Sequence, residues 1–279
     1  MSKKISFQGV EGAYSNLAVQ EFFPGAVSVP CKTFEIAIQK AESGSVDYAM
    51  IPIENSAAGR VADIHRLLPK SQLHINYEHF QKVEHKLLIH PDSELSSIKK
   101  VISHEQALAQ CSEKIQNLDL DILIGADTAG SAKMISENKI LDTAAIASSL
   151  AANIYNLKTV DESFANSKNN ITRFYVMSKN ENEEFDPKKK YISSFLFAVN
   201  NTPGSLFKVM GGFATNNVNM IKLESYNYGA DFVITEFYCE IEGHPNQDNT
   251  KFALDDMYHY CSKVKKLGVF EKSIYRSRQ

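Results

Sequence analysis

The sequence predicts an α/β fold with mostly parallel sheets, followed by a ferredoxin-like βαββαβ sandwich. Three observations carry that expectation. Strand-like and helix-like patterns alternate through roughly the first 178 residues, as in parallel sheets covered by helices. Residues 179–190 are then charged and nearly free of apolar side chains, the composition of a linker. About 85 residues follow in the order strand, helix, strand, strand, helix, strand. The length of 279 residues is that of about two domains.

Each element has its own reason. Ile5–Gln8 reads as a strand and Tyr14–Phe23 as a helix stopped by Pro24-Gly25. Thr33 is the expected N-cap of a helix with Phe34, Ala37, Ile38 and Ala41 on one face. Ser43-Gly44 ends it, Tyr48–Ile53 is a short buried strand, and another helix starts near Val61. Val101-Ile102 is strand-like, and His104–Gln116 is a helix with Leu108, Cys111 and Ile115 on one face. Asp121–Ile124 is a strand, Thr128–Glu137 a helix, Ala144–Ala147 a strand and Ser148–Tyr155 a helix. Beyond the linker, Phe195, Phe197 and Val199 share one face of Tyr191–Val199, and Leu206, Met210 and Phe213 form a helical stripe. Val218–Tyr228 and Asp231–Ile241 form a hairpin over Gly229, with Val233, Thr235, Phe237, Cys239 and Ile241 on one side. Lys251–Cys261 is a helix, and Val264–Phe270 closes as a strand.

Composition excludes several classes. The apolar fraction of 43% and charged fraction of 23% are ordinary for a folded domain. A net charge of -3 makes no electrostatic case for nucleic acid or an anionic membrane. Cys31, Cys111, Cys239 and Cys261 form no CxxC and read as small buried hydrophobes in a reducing compartment. The N-terminus lacks the apolar core of a signal peptide. No stretch approaches the ~18 apolar residues of a membrane span. A cytoplasmic location is expected.

Three polar turns sit between a strand and a helix, where α/β folds collect ligands. They are Gly9–Ser15, Pro52–Arg60 and Gly125–Ser131. Each offers free backbone N–H groups and small polar side chains, which suit a carboxylate; each is equally an ordinary helix cap. A fourth cluster, Asn169–Tyr175, places Thr172 and Arg173 at a strand start. Arg173 could grip a carboxylate with two parallel hydrogen bonds or make a structural ion pair. His65, His74, His79, His85, His90 and His104 lack ligand spacing such as HExxH, so no metal is expected. No GxSxG, GxGxxG or GxxxxGK[ST] occurs.

Taken together these segments resemble the prephenate dehydratase family. The likeness is carried by Phe7-Gln8-Gly9, Gly12-Ala13-Tyr14-Ser15, Pro52-Ile53-Glu54-Asn55-Ser56 with Gly59, and Ser103-His104 with Gln106–Cys111. It continues through Ala126-Asp127-Thr128-Ala129, Ala144–Ser148 and Asn170-Ile171-Thr172-Arg173-Phe174. The last part resembles an ACT domain, an amino-acid-sensing βαββαβ module. The resemblance implies a catalytic domain over 1–178, built of two lobes like a periplasmic binding protein. Lobe one would be about 1–79 plus 159–178 and lobe two about 80–158, with crossings at Leu73–Leu88 and Leu157–Asp161. A linker at 179–190 and an ACT domain at 191–279 would follow. Two departures stand out: Ala13, where many members have Thr, and Gly204-Ser205-Leu206 with Glu224-Ser225-Tyr226-Asn227, where many read Gly-Ala-Leu and Glu-Ser-Arg-Pro.

The activity implied is the decarboxylating dehydration of prephenate to phenylpyruvate, water and CO2 for L-phenylalanine synthesis, with no cofactor. Thr172 would assist the leaving hydroxide, and Ser15, Asn55, Ser56, Thr128, Arg173 and Phe174 would hold the substrate. L-phenylalanine would regulate through Asn200, Gly204, Ser205, Leu206, Asn217, Asn219, Glu224 and Ser225. A homodimer or homotetramer is expected from the way ACT sheets pair. Two alternatives stay open: an arogenate dehydratase, and a non-catalytic small-molecule sensor of the same architecture.

Overall fold

A computed structural model describes residues 2–228 and 234–277, so Val233 and the turn at Gly229 lie outside the described residues. The elements in order are β1 (Lys4–Gln8), α1 (Tyr14–Phe22), β2 (Val27–Cys31), α2 (Phe34–Glu42), β3 (Tyr48–Asn55), β4 (Gly59–Arg60) and α3 (Ala62–Leu67). Next come β5 (His74–Lys82), β6 (Lys86–Ile89), β7 (Lys100–Ser103), α4 (Glu105–Gln110), α5 (Ser112–Asn117), β8 (Asp121–Ile124) and α6 (Thr128–Glu137). Then follow β9 (Thr143–Ala147), α7 (Ser149–Ile154), β10 (Lys158–Asp161) and β11 (Ile171–Ser178). The last are β12 (Tyr191–Val199), α8 (Ser205–Thr215), β13 (Met220–Tyr228), β14 (Ile234–Glu242), α9 (Asp248–Tyr260) and β15 (Cys261–Glu271).

The chain divides into two compact units: Met1–Leu67 with His79–Tyr175, and Leu68–Glu78 with Val176–Gln279. The first unit is an α/β body with two sheets. One runs β11-β3-β1-β2, with β4 beside β3; the other runs β10-β6-β9-β7-β8. Within these sheets β1 is parallel to β2 and β3, and β7 to β8 and β9, but β6 runs antiparallel to β9 and β10. The sheets are therefore mixed where the sequence suggests mostly parallel ones. The antiparallel strands are those next to the crossings, where the chain enters the second lobe and leaves it. The first crossing falls at 83–85, between β5 and β6, and the second after Asp161.

Local chemistry accounts for the boundaries. Thr33 caps α2 by accepting the Ile36 N–H at 3.2 Å. The helix expected over His104–Gln116 is broken at Cys111, whose backbone leaves the helical region. β2, which sequence patterning misses, holds Pro30 and pairs through all five of its residues with β1. The second lobe has a core on each side of its sheet. One side buries Leu87, Val101, Leu108, Cys111, Ile115 and Ile146, and the other buries Leu88, Ala129, Ala132, Ile135, Ala145 and Ala151.

The turn before α1 docks on the second lobe. Ser148 Oγ donates to Gly12 O at 2.6 Å, and Tyr155 Oη donates to Glu11 O at 2.7 Å. Gly12 has φ +86°, and a Cβ there would sit 2.9 Å from Ala151 Cα. Gly12→Ala should therefore cost about 1–3 kcal/mol through strain and overpacking. Thermal melts of the two proteins will measure it; an unchanged midpoint would mean that the turn yields freely.

The second unit carries the βαββαβ order in an antiparallel arrangement β13-β14-β12-β15, with Ile75 of β5 pairing against Gly268 of β15. Phe195, Phe197, Val209, Phe213, Cys239, Ile241, Ala253, Leu254 and Met257 form its core. Val209 is buried while Met210 is 40% exposed, so the α8 stripe is rotated from the expected one. β15 begins at Cys261, earlier than patterning suggests. This unit also takes in 68–78 and 176–190. Lys265 Nζ donates to the carbonyls of Leu68, Pro69 and Ser71, and Asn76 Nδ2 donates to Ser178 Oγ and Asn180 O.

Candidate functional site

Between the two sheets of the first unit lies a cavity of about 590 Å³. Ser15, Asn55, Arg60, His104, Asp127, Thr128 and Thr172 all line it. The strand-to-helix turns before α1 and α6 reach it, as the sequence suggests, because each leaves the C-terminal side of a parallel strand. Asp127 caps α6 by accepting the Gly130 N–H at 2.6 Å. Ala13 lines the cavity too, so the methyl here stands where a threonine would present a hydroxyl.

Thr172 is held by a chain of hydrogen bonds whose direction can be worked out from one end. The N–H groups of Ala57 and Ala58 both donate to Asn55 Oδ1, at 3.0 and 2.8 Å. Asn55 Nδ2 is therefore the donor, to Thr172 Oγ1 at 2.9 Å and to Asn170 Oδ1 at 2.7 Å. Asn170 Nδ2 then donates to Gln110 Oε1 at 2.7 Å. Gln110 Oε1, an acceptor only, faces His85 Nε2 at 2.8 Å, which must carry the proton. In neutral His85 the Nδ1 atom accepts from Tyr14 Oη, 2.9 Å away. Two backbone amides thus set the orientation of side chains drawn from both lobes. At the far end an acceptor site of the Thr172 hydroxyl is filled by Asn55, so its O–H can be given to a ligand.

Burial holds the His85 pKa below its ordinary value, against the opposing effect of the Gln110 hydrogen bond. Protonation would require Nδ1 to donate, and Tyr14 Oη could turn to Glu84 O, 2.8 Å away. Because the folded pKa lies below the unfolded one, the unfolded chain takes up the proton first. Stability should then fall as pH drops below about 6.5. His85→Gln should lose less stability than the parent between about pH 7.5 and pH 5.5. An equal loss in both melts would show that other groups set the acid sensitivity; His79, also lowered by burial, accounts for a residual slope.

Not all the expected residues meet. Ser56, Arg173 and Phe174 are absent from the cavity lining. Ser56 Oγ instead accepts from Ile171 N at 2.9 Å. Arg173 is 3% exposed, pairs with Glu54 at 3.1 Å and stacks on Tyr175 at 4.9 Å. Phe174 is buried. Adjacent strand residues point to opposite faces, so with Thr172 toward the cavity Arg173 points away. Arg60, on β4, is the arginine that lines the cavity among the described residues. Tyr14, His85, Gln110 and Asn170 are further residues that sequence reasoning did not assign; the motif Gln106–Cys111 was the available signal for Gln110. Among the described residues no group of His, Cys, Asp and Glu is arranged to hold a metal ion.

The expected effector residues divide as well. The loop from Asn200 to Ser205 lies at the C-terminal end of β12, where Thr202 Oγ1 and Ser205 Oγ are 2.6 Å apart and Gly204 adopts φ +79°. Leu206 is on α8 and partly buried. Ser225 pairs with Phe237 and Glu224 with Tyr238, toward that same end. Asn217 and Asn219 lie at the opposite end, because α8 runs the length of the sheet before β13 begins; Asn219 Nδ2 donates to Glu242 Oε2 at 3.0 Å. One chain therefore does not unite them in a single pocket.

A two-lobed α/β unit with a cavity between its sheets, lined by apolar and polar side chains, has the architecture of a domain that takes up a small molecule. The family model described as prephenate dehydratase matches residues 5–182, and this chain belongs to that family. The bifunctional N-acyl-homoserine lactone acylase/prephenate dehydratase of Komagataeibacter europaeus is 40% identical over 274 residues, 98% of each chain. Arogenate dehydratase/prephenate dehydratase 1, chloroplastic, of Arabidopsis thaliana is 35% identical over 98% of this chain and 73% of its own. The structure of prephenate dehydratase from Arthrobacter aurescens in complex with L-Phe superposes with a TM-score of 0.87 at 26% identity, over 96% of this chain and 90% of that one.

Proposed function

We propose that the chain converts prephenate to phenylpyruvate, water and CO2, and that residues 191–279 form an ACT domain through which L-phenylalanine controls the reaction. The observation that carries the catalytic reading is the Thr172 hydroxyl, oriented by Asn55 at the wall of the cavity. In the reaction the C–CO2 bond breaks and its electron pair enters the ring. The C–OH bond opposite breaks, and hydroxide leaves with that bond's pair. Aromatisation drives the step. Thr172 donates a hydrogen bond to the departing oxygen; its hydroxyl is too weak an acid to supply the proton, which comes from water. Arg60 and the N–H groups at the starts of α1 and α6 hold the two carboxylates. Preorganised donors of this kind act mainly by orientation and charge stabilisation.

Steady-state assays of the full chain with prephenate and with arogenate test this reading. Turnover of prephenate with the higher kcat/KM is expected; preference for arogenate would make the chain an arogenate dehydratase. A second reading, hydrolysis of N-acyl-homoserine lactones, is favoured by the name of the Komagataeibacter relative. Among the described residues no hydroxyl of Ser15, Thr128 or Thr172 is hydrogen-bonded to His85 or His104; the hydroxyl on His85 is that of Tyr14, whose pKa burial raises, so the cavity offers no serine or threonine paired with a histidine base. The same assays should include an acyl-homoserine lactone. Lactone turnover without dehydratase activity would overturn the proposal, and so would no turnover of any of the three.

The control reading is supported by the βαββαβ unit and by the L-Phe bound to the Arthrobacter protein. Assembly as a homodimer or homotetramer would let the Asn200–Leu206 loop of one copy meet β13 of another. A coupling of about 1–3 kcal/mol corresponds to about 5–150-fold in affinity between states. Cutting the chain near residue 180 would strip 68–78 of their Lys265 partner, so the test uses the full chain. Asn200→Ala should keep basal turnover and shift the phenylalanine midpoint; an unmoved midpoint would take the effector site out of this loop.

A further inference from the structure

His104 lines the cavity and has no part in the chemistry described so far. His85 lines it too, but both of its ring nitrogens are taken, by Gln110 and Tyr14. His104 follows β7, whose last residue, Ser103, is buried and gives its hydroxyl to Ile146 O at 2.7 Å. Neighbours along an extended chain face opposite ways. With Ser103 turned into the second lobe, His104 turns out to the cavity. Its carbonyl accepts the Ala107 and Leu108 N–H groups, at 3.0 and 3.1 Å, which holds its backbone in place.

The backbone also fixes the tautomer. Gln106 N, a donor only, lies 3.3 Å from His104 Nδ1, which thereby caps α4. Nδ1 therefore accepts, and the ring proton sits on Nε2. Among the described residues no protein group accepts from Nε2. The cavity is short of such donors, because the proposed substrate is a dianion. Among the described residues its lining holds one arginine, Arg60, and no lysine, while Asp63 and Asp127 add negative charge. Arg60 stands on β4, in the first lobe. A carboxylate on the side of the second lobe needs a donor from there.

We infer that His104 holds one of the substrate's two carboxylates through Nε2–H from the second lobe, while Arg60 serves the other from the first. This rests on the dehydratase reading. Two substitutions separate the role from helix capping. Asn places its amide where the ring carries Nδ1, so His104→Asn keeps the cap and loses the donor. Gln places its amide where the ring carries Nε2, so His104→Gln keeps a donor and loses the cap. In the full chain His104→Asn should raise KM for prephenate by at least about tenfold and leave kcat within about threefold. It should melt at or above the parent temperature, since Asn is among the best N-caps. His104→Gln should keep KM close to the parent's and melt about 1–4 °C lower. If the parent turns over arogenate instead, the same comparison holds, because arogenate carries the same two carboxylates. A parental KM in His104→Asn would overturn the proposal and leave the dehydratase reading standing. KM raised as much in His104→Gln as in His104→Asn would also overturn it, because the effect would not follow the Nε2 donor. A parent chain inert toward both substrates would overturn the dehydratase reading and this proposal with it.

Discussion

Thr172→Ala is expected to lower kcat by at least about 10²-fold and to leave KM nearly unchanged. The hydroxyl is aimed rather than merely present: Asn55 Nδ2 fills an acceptor site at 2.9 Å, and the Asn55 orientation is fixed by the Ala57 and Ala58 amides. A donor directed at a departing oxygen matters where charge develops, so its loss falls on turnover rather than on binding. Thr172→Ser should recover most of the rate. If the alanine protein is folded and keeps a kcat within a few-fold of the parent, Thr172 has no part in the bond-breaking step.

Arg60→Ala is expected to raise KM by about 10–150-fold, with a smaller change in kcat. The range corresponds to about 1.5–3 kcal/mol for a hydrogen bond to a charged group. Arg60 lines the cavity through the short pairing of β4 with β3, in which Glu54 faces Arg60 and Asn55 faces Gly59. The contrast is Arg173, whose guanidinium is buried against Glu54 and Tyr175. Arg173→Ala should appear as lost stability, about 1.5–3 kcal/mol for a lost hydrogen bond to a charged group, because the Glu54 carboxylate left behind is partly exposed. Substrate titrations and thermal melts on both variants separate the two roles. A KM defect confined to the Arg173 variant would reverse the assignment.

Asn55, Ser15 and Thr128 were legible in the sequence because each sits at the end of a strand or the start of a helix, where an α/β fold gathers ligands; Thr172, at the start of β11, was legible through the likeness of Asn170–Phe174 to the family. Ser56, Arg173 and Phe174 were expected from the same likeness, but Arg173 follows Thr172 on β11 and so faces the other way, Ser56 Oγ is taken up by the Asn169 and Ile171 backbone, and Phe174 is buried. Gln110 was hidden inside a helix that patterning runs from His104 to Gln116. The break at Cys111 ends α4 at Gln110, whose amide reaches both His85 and Asn170. His85 lies at a lobe crossing, and no local pattern marks a residue there. The effector residues show the same limit: Asn217 and Asn219 follow Leu206 by little in sequence, but α8 carries them to the other end of the sheet.

By itself the sequence determined the alternation of strands and helices, the βαββαβ order of the second unit and the turns that surround the cavity. These follow from side-chain periodicity and from Gly, Pro, Thr and Asp at chain reversals, which act within a few residues. Tertiary structure decided which face of β11 meets the cavity and which arginine lines it. It also decided how Tyr14, His85, Gln110, Asn170 and Asn55 join into one hydrogen-bonded chain ending at Thr172. Those bonds span up to 117 residues of sequence. They form only once the sheets are packed, because a buried amide or imidazole must find a partner wherever the fold brings one within reach.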